Sequence, residues 1–415
     1  MYIAIIGYGV VGSGVAEVIR KNSQSIADRA GQPISVKKIL DIRKITEGPD
    51  CTFITSNPDE VFSDPEIGII VETIGGIRIS YEYTKRAFSA KKHVVTSNKE
   101  LVAAHGPELM KMAAENGVSY LFEASVGGGI PIIRPLNQCL AANVIDSITG
   151  ILNGTTNYIL TQMKKEGKNF EDALKQAQEN GYAEADPTAD IEGYDACRKL
   201  AILSSIAFNQ FVDCKNIYTE GISKLTLDDM KYAQSMDSVI KLVAVSKREG
   251  DKISAIVAPA IVSKNHSLAN VEDVFNAIIV HGNAIGDAMF YGRGAGKLPT
   301  ASAVVADVID ITKHGDNIAG NIWVRNELSN MVDTGETETK LFIRVETRNE
   351  AEAVKFIDRN FGKVEYIKNA NLGRSGELAF VTRKGKRSEL YMSIDSLKGI
   401  GSIKDIISVI MIIED

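Results

Sequence analysis

Residues 2–12 read YIAIIGYGVVG, a short apolar run that ends in glycines at positions 7, 9 and 12. The run predicts a β-strand, and the apolar spacing from Val10 onward predicts a helix. Gly7 permits a tight turn, Gly9 lets a pyrophosphate approach the backbone, and Gly12 allows the helix to pack closely. Unpaired N–H groups at the helix start can hold phosphates. Although glycines alone can be structural, this context predicts dinucleotide binding.

The strand and helix alternation continues beyond this turn. Further strand-like runs lie at 36–40, 67–72, 93–96 and 119–123, with helical patterns at 81–90 and 106–116. Strands that alternate with helices predict a parallel sheet covered by helices, an α/β fold of the Rossmann type. The glycines at 127–129 are the strongest breaker in this region. We therefore predict a first domain over residues 1–127.

Two further domains are predicted from the rest of the chain. Residues 128–333 mix helical and strand patterns, which indicates an α+β domain. A polar linker precedes residues 340–415, which show strand, helix and strand patterns of their own. Within this last domain, residues 384–386 (KGK) separate two apolar runs and are predicted to form a hairpin tip.

Composition limits the classes of protein to consider. The chain has 415 residues, 44% hydrophobic and 24% charged, which are globular values that allow two or three domains. With 47 basic and 53 acidic residues the net charge is −6, so nucleic-acid binding is not expected and small molecules are the expected partners. No apolar stretch reaches 18 residues and no leader pattern opens the chain, so we expect a soluble cytoplasmic protein with no membrane partner. Four scattered cysteines and five scattered histidines predict no zinc site.

The end of the second predicted strand bears on cofactor preference. Asp41 would accept hydrogen bonds from a ribose 2′-hydroxyl and so favours NAD, whereas Arg43 and Lys44 would hold a 2′-phosphate and favour NADP. A polar strand end without either role is the alternative. The sequence leaves the preference open.

Two lysines and several acids are candidates for chemistry. Lys99 follows the strand at 93–96, and ligands bind at the carboxyl ends of parallel strands, although a solvated lysine is the alternative. Residues 184–199 form the densest polar cluster, in which Asp195 and Lys199 share a helix face. An exposed salt bridge is the alternative there. A protonated lysine can polarise a carbonyl oxygen or donate a proton to an alkoxide, and the acids suit a substrate ammonium group.

Residues 123–131 form a glycine-rich turn with no lysine in P-loop spacing, so a Walker-type phosphate site is not supported. Bent backbone can instead direct carbonyl oxygens at a hard cation. A simple domain hinge is the alternative.

Taken together, these motifs closely resemble homoserine dehydrogenases over about residues 1–325. The resemblance rests on the glycine turn at 7–12, TSNK at 96–99, the glycine-rich turn at 123–131, NGTTNYIL at 153–160, the cluster at 184–199, and GRGAGKLPTASA at 292–303.

The resemblance implies reversible NAD(P)-dependent hydride transfer between L-homoserine and L-aspartate 4-semialdehyde, a step toward threonine and methionine. Lys199 would donate and accept the proton, with Lys99 assisting. Glu184 and Asp195 would hold the substrate amino group, and Asp190 would be a further acid of the site. The implied ligands of a monovalent cation, Na⁺ or K⁺, are the backbone carbonyls of Glu123, Val126, Gly128 and Ile130.

The implied cofactor contacts are Gly7, Gly9, Val10, Val11, Gly12, Asp41, Arg43, Lys44, Thr73, Lys99, Gly181 and Gly296. Residues 128–333 would bind substrate and form a homodimer or homotetramer. Residues 340–415 would be a degenerate ACT-like regulatory domain, because TRNEA at 347–351 replaces the usual Asp-x-Pro-Gly-like turn. Two alternatives remain: a dinucleotide-binding sensor without catalysis, and an oxidoreductase for another amino-acid semialdehyde.

Overall fold

A computed structural model describes residues 1–315, 323, 330–368 and 376–414. These residues pack into two compact units, each built from three separate segments of the chain. The first unit contains residues 1–145, 198–214 and 281–329, and the second contains residues 146–197, 215–280 and 330–415. The three consecutive domains expected from the sequence stay a prediction.

The strands are β1 (Tyr2–Ile6), β2 (Ser35–Leu40), β3 (Ile54–Thr55), β4 (Ile67–Glu72), β5 (His93–Thr96), β6 (Tyr120–Leu121), β7 (Ile145–Ile151), β8 (Tyr218–Thr219), β9 (Ser238–Glu249), β10 (Lys252–Ser263), β11 (Phe275–Gly282), β12 (Gly286–Arg293), β13 (Glu338–Thr347), β14 (Glu365–Tyr366), β15 (Glu377–Val381), β16 (Gly385–Lys386) and β17 (Ile403–Ile413). The α-helices are α1 (Val10–Lys21), α2 (Ser23–Ala30), α3 (Asp59–Phe62), α4 (Arg78–Ser89), α5 (Lys99–Asn116), α6 (Gly154–Glu166), α7 (Phe170–Glu179), α8 (Thr188–Ile191), α9 (Tyr194–Phe208), α10 (Leu227–Ser235), α11 (Lys297–His314), α12 (Glu350–Phe361) and α13 (Arg387–Leu397).

The first unit contains a parallel sheet in the order β3-β2-β1-β4-β5-β6. This is the Rossmann strand order, so the predicted α/β dinucleotide-binding fold is confirmed. The central strands are apolar on both faces, because helices cover the sheet on either side. Ile3, Ile5 and Val71 are fully buried, and the core around them extends to Val304 of α11. The carboxyl ends of β1, β2, β4 and β5 carry the candidate cofactor residues other than Gly181 and Gly296.

The second unit is built on a mixed sheet that runs in the order β11-β7-β9-β10-β17-β13-β15-β14. Strands β9 and β10 form a long antiparallel pair, in which Ser238 lies opposite Ser263 and Glu249 opposite Lys252. At the end of the chain, β13-α12-β14-β15-α13-β17 is a β-α-β-β-α-β unit with antiparallel pairing of β13 to β15 and β17. The assignment of this part as an ACT-like regulatory domain stays a prediction.

Two local expectations differ from the structure, and two strands were not predicted. Helix α5 begins at Lys99, two turns before the predicted start at residue 106, and the predicted segment forms only its later part, with Pro107 inside the helix. The predicted hairpin tip at 384–386 is wrong, since β16 leads directly into α13. Strands β9 and β10 were not foreseen, because most of their residues are buried and show no alternation.

None of the helices in the described part of the chain combines the length and the hydropathy needed to cross a bilayer.

Candidate active site

The glycine-rich loop after β1 is shaped so that a ligand can approach its backbone closely. Gly7 has a φ of +92°, and its N–H donates to the Leu40 carbonyl at 2.9 Å. A Cβ on Gly12 would lie 2.0 Å from the Gly7 carbonyl oxygen, so only glycine fits there. The Thr73 hydroxyl donates to the same oxygen at 2.7 Å. A Cβ on Gly9 would meet no atom within 4 Å, which leaves open space before the first turn of α1 for a phosphate.

The first helical residues after this loop are accessible from solvent. Val10 is 66% exposed at the start of α1, and Val11 is partly buried. No acidic residue occupies the first turn of α1. The positive end of the helix dipole therefore faces the open space beside Gly9, as an anionic ligand requires.

Asp41 directly follows β2, and its carboxylate is fully engaged. Oδ1 accepts the Arg43 backbone N–H at 2.9 Å and the Arg43 Nε at 2.9 Å. Oδ2 accepts the Tyr8 N–H at 2.7 Å and the Arg43 Nη2 at 2.8 Å. The Arg43 hydrogen bonds hold the pKa of Asp41 far below its ordinary range. An ionised carboxylate has about four acceptor positions, and all of them are occupied here.

The guanidinium of Arg43 is fixed in turn. Its Nη2 also donates to the Tyr8 carbonyl at 2.8 Å, which ties it to the glycine-rich loop. The side chain remains 59% exposed, so its outer edge faces solvent. Lys44, the other basic candidate, is exposed beyond it. Of the three candidates at the end of β2, Arg43 is the donor that the fold holds beside the loop.

Glu72, at the end of β4, is a residue that the sequence analysis missed. Its buried carboxylate accepts the Thr96 hydroxyl at 2.7 Å, the Ser80 hydroxyl at 3.0 Å and the Ile74 N–H at 2.8 Å. Burial raises the pKa of Glu72 above its ordinary value. The sequence feature that could have identified Glu72 is an acidic residue at the end of an apolar run. Glu72 joins the carboxyl ends of β4 and β5 to the loop after Thr73.

Lys99 is held at the same edge of the sheet. It is the first residue of α5, and Asn98 caps this helix by accepting the Leu101 N–H at 3.1 Å. The Asn98 amide donates to the Gly76 carbonyl at 2.6 Å, so the loop after β4 and the start of α5 are joined. The backbone of Lys99 therefore has a fixed position beside the loop that carries Thr73.

Lys199 lies on α9 and is 8% exposed. Its neighbour Arg198 contacts Glu100, with Nη2 and Oε1 separated by 3.6 Å. Glu100 in turn follows Lys99 in α5. The first unit therefore joins the two helices that carry the candidate catalytic lysines, a proximity that no local sequence pattern specifies.

The candidate substrate acids belong to the second unit, where Asn153 joins two of them. Its amide nitrogen donates to Asp190 Oδ1 at 2.7 Å and to Asp195 Oδ2 at 2.8 Å. Glu184 lies exposed in the loop after α7, where its carbonyl accepts the Gln178 amide at 3.1 Å. Gly181, an expected cofactor contact, is exposed in this loop with a φ of +72°. The only signal for Asn153 was its place at the start of NGTTNYIL.

The glycine-rich turn at 123–131 is held by acidic side chains. Glu123 Oε1 accepts the N–H groups of Ile132 and Ile133 at 2.6 and 2.8 Å, while Asp307 accepts the Glu123 N–H at 2.9 Å. Arg134 donates to Asp307 at 2.6 Å. Burial, and then the charge of Glu123, raise the pKa of Asp307 to about 8. The turn is therefore held by several hydrogen bonds, and its residues 123–128 are buried.

Oxygen atoms are available along this turn. Among the described residues, none donates a hydrogen bond to the carbonyls of Val126, Gly128 or Ile130. Gly128 has a φ of +56°, and a Cβ there would lie 2.3 Å from the Gly294 carbonyl. No group of three or more His, Cys, Asp and Glu side chains in the described ranges could hold a metal ion. Backbone oxygen suits a hard cation.

Gly296 lies at the start of α11 with a φ of +122°. This helix packs against α1, since a Cβ on Gly14 would lie 2.9 Å from the Lys297 carbonyl. Lys297 also donates to Glu17 of α1 at 2.8 Å. Gly296 therefore belongs to the unit that carries the dinucleotide motif, whereas Gly181 belongs to the other.

Two family models match the chain: one described as "Homoserine dehydrogenase, NAD binding domain" over residues 7–123, and one described as "Homoserine dehydrogenase" over residues 131–309. A homoserine dehydrogenase of Bacillus subtilis is 37% identical over 417 residues, covering 97% of this chain and 96% of the relative. The crystal structure of a homoserine dehydrogenase from Thiobacillus denitrificans superposes with a TM-score of 0.91 at 34% identity, covering 100% of this chain and 98% of that one. A hyperthermophilic archaeal homoserine dehydrogenase in complex with NADPH gives a TM-score of 0.64 at 29% identity, covering 75% of this chain and 97% of that one.

Proposed function

This chain belongs to the homoserine dehydrogenase family and interconverts L-homoserine and L-aspartate 4-semialdehyde with NAD(P), and we propose here how its residues divide that work. The observation that carries the proposal is the contact of Arg198 with Glu100, which joins the helix of Lys199 to the helix that begins at Lys99. The two alternatives, a sensor without catalysis and an enzyme for another semialdehyde, are not favoured by this family membership.

We propose that Lys199 handles the proton of the reaction. The nicotinamide cofactor, when bound, supplies or accepts the hydride. Lys199 then donates a proton to the oxygen of the semialdehyde carbonyl as it becomes an alkoxide, and accepts that proton back when homoserine is oxidised. Lys99 adds a second positive charge that stabilises the developing alkoxide. The burial of Lys199 supports this role, because a preorganised donor stabilises charge best where water is scarce.

Asp195, Asp190 and Glu184 are proposed to hold the substrate ammonium group. A carboxylate recognises an ammonium group through charge-assisted hydrogen bonds. Two of these acids are already joined by Asn153, which supports a shared role.

We propose that the enzyme prefers NADP, with Arg43 as the residue that recognises the 2′-phosphate. The support is the saturation of Asp41: a ribose 2′-hydroxyl finds no acceptor position there while Arg43 stays in place. The exposed edge of Arg43 offers donors to a phosphate instead. Gly7, Gly9, Gly12 and the backbone N–H groups at the start of α1 would hold the pyrophosphate, with Thr73 shaping the loop.

A monovalent cation, Na⁺ or K⁺, is proposed at the carbonyls of Glu123, Val126, Gly128 and Ile130. Three of these oxygens receive no hydrogen bond from the described residues, and the turn is braced by Glu123 and Asp307. These residues therefore fit an oxygen-ligated ion, which would hold the turn in one conformation. A homodimer or homotetramer and a cytoplasmic location stay predictions.

Initial rates test the proposal. Absorbance of the reduced nicotinamide is followed with L-homoserine and either NADP or NAD, with and without K⁺ or Na⁺. Turnover faster with NADP and raised by one of the salts would support the cofactor and cation assignments. Equal rates with NADP and NAD would contradict the cofactor assignment. Rates that do not respond to either salt would contradict the cation assignment.

A further inference from the structure

We propose that Asn153 is a positioning residue for substrate recognition, because its side-chain amide holds Asp190 and Asp195 together for the substrate ammonium group. This inference rests on the proposed roles of the two acids. Asn153 would act through them and would not touch the reacting atoms.

The hydrogen bonds of Asn153 fix the orientation of its amide. The nitrogen has two hydrogens and lies 2.7 Å from Asp190 Oδ1 and 2.8 Å from Asp195 Oδ2. The amide oxygen accepts the Thr156 N–H at 2.8 Å. A rotated amide would place its oxygen against two carboxylates and its nitrogen against an N–H group, so only the observed orientation satisfies all three partners.

The backbone around this contact is built to bring the acids to one amide. Asn153 lies between the end of β7 and the start of α6, and it is 4% exposed. Asp190 lies on α8, and Asp195 is the second residue of α9. Gly193 makes the turn between these helices with a φ of +83°, a conformation that other residues adopt only with strain. The fold therefore places both acids within hydrogen-bond distance of Asn153.

The chemistry of the amide explains why an asparagine serves here. Two carboxylates that share one site repel each other, which favours protonation of one of them. The amide donates one hydrogen bond to each acid and adds no charge, so it offsets part of this repulsion without neutralising either carboxylate. The two carboxylates are thereby held beside one another, an arrangement that suits a cationic group. The amide thus preorganises the site for an ammonium group.

Asn153 also caps α6, so the test must separate capping from positioning. Serine and aspartate are both good N-cap residues, because each keeps an oxygen for the N–H of the first turn. Asn153→Ser keeps the cap and cannot donate to both acids. Asn153→Asp keeps the cap and places a third carboxylate against the pair. Asn169→Ala is the matched control, since Asn169 caps the adjacent helix α7 by accepting the Asp172 N–H at 2.8 Å and is not part of the site.

Steady-state kinetics on the full-length protein give the readout, with KM for L-homoserine and kcat measured at saturating cofactor. The dissociation constant for reduced cofactor is measured by nicotinamide fluorescence. We expect Asn153→Ser to raise KM about tenfold or more with a smaller change in kcat, and Asn153→Asp to raise KM further. Cofactor affinity and the Asn169→Ala variant should stay within about twofold of wild type.

Two results would overturn the inference. If Asn153→Ser and Asn153→Asp both keep the wild-type KM while Asn153→Ala loses thermal stability, Asn153 is only a helix cap. Asp195→Asn is measured in parallel to test the proposed function itself. If Asp195→Asn leaves KM unchanged, the proposed role of the acids fails and the inference fails with it; if it raises KM while the serine and aspartate variants do not, only the inference fails.

Discussion

Replacing Arg43 by alanine is expected to shift the cofactor preference from NADP toward NAD. The substitution removes the guanidinium that is proposed to face the 2′-phosphate. It also removes two side-chain hydrogen bonds from Asp41, those of Nε at 2.9 Å and Nη2 at 2.8 Å. One acceptor position on each carboxylate oxygen then becomes available to a ribose hydroxyl.

The magnitude follows from these two changes. Loss of a charge-assisted hydrogen bond to phosphate weakens binding about 10- to 100-fold, and the lower end applies because Arg43 is largely exposed. A new hydrogen bond from the ribose to the ionised Asp41 strengthens NADH binding by about tenfold. The ratio of the two dissociation constants should therefore change by roughly 100-fold.

Fluorescence titration of the purified protein with NADPH and NADH measures both constants without catalysis. Arg29→Ala on α2 is the matched control, because it removes the same charge from an exposed helical position. A parallel loss of affinity for both cofactors, or NADPH affinity equal to that of wild type, would refute the reasoning about Asp41 and Arg43.

Three further predictions concern catalysis and stability. Lys199→Ala should lower kcat by about 100-fold or more because it removes the proposed proton donor; near-normal turnover in a variant with native circular dichroism would exclude that role. Arg344→Leu should lower the free energy of unfolding in urea by about 3–5 kcal/mol, because Asp229, which accepts a hydrogen bond from the Arg344 guanidinium at 2.6 Å, is then buried without its charge partner. The double variant Arg344→Leu/Asp229→Leu should recover part of this loss. If the single and the double variant are equally stable, the two residues do not act as a buried pair. Burial lowers the pKa of Lys241 from 10.5 to about 8, so between these pH values the unfolded chain binds the extra proton. The free energy of unfolding of the wild type, relative to Lys241→Met, should therefore rise by about 3 kcal/mol from pH 8 to 10.5; a constant difference would show that the Lys241 pKa is not lowered.

The cofactor half of the candidate site was largely predictable from sequence, because its signals are local. A strand, three glycines and a helix start specify the turn at residues 7–12 on their own, and the acid after the second strand follows from the same pattern. The structure added Glu72, whose role depends on hydrogen bonds to Thr96 and Ser80 from other elements. No single segment contains that information.

The substrate half was predictable only in part. The resemblance named Asp190 and Asp195, yet it gave no role to Asn153, which lies 37 residues before Asp190 in the chain and within hydrogen-bond distance of it in space. Strands β9 and β10 were missed for a related reason. An apolar run that is buried on both faces has no alternation to distinguish a strand from a buried helix.

The sequence by itself determined the parallel α/β sheet and the family, because both depend on short motifs and on periodicity within single elements. Only the tertiary structure decided which partners each polar group has. Arg43 occupies the acceptors of Asp41, and Asn153 joins two acids from different helices. The physical reason is that a hydrogen bond depends on distances of about 3 Å between atoms, and those distances are set by the packing of elements that are remote in the chain.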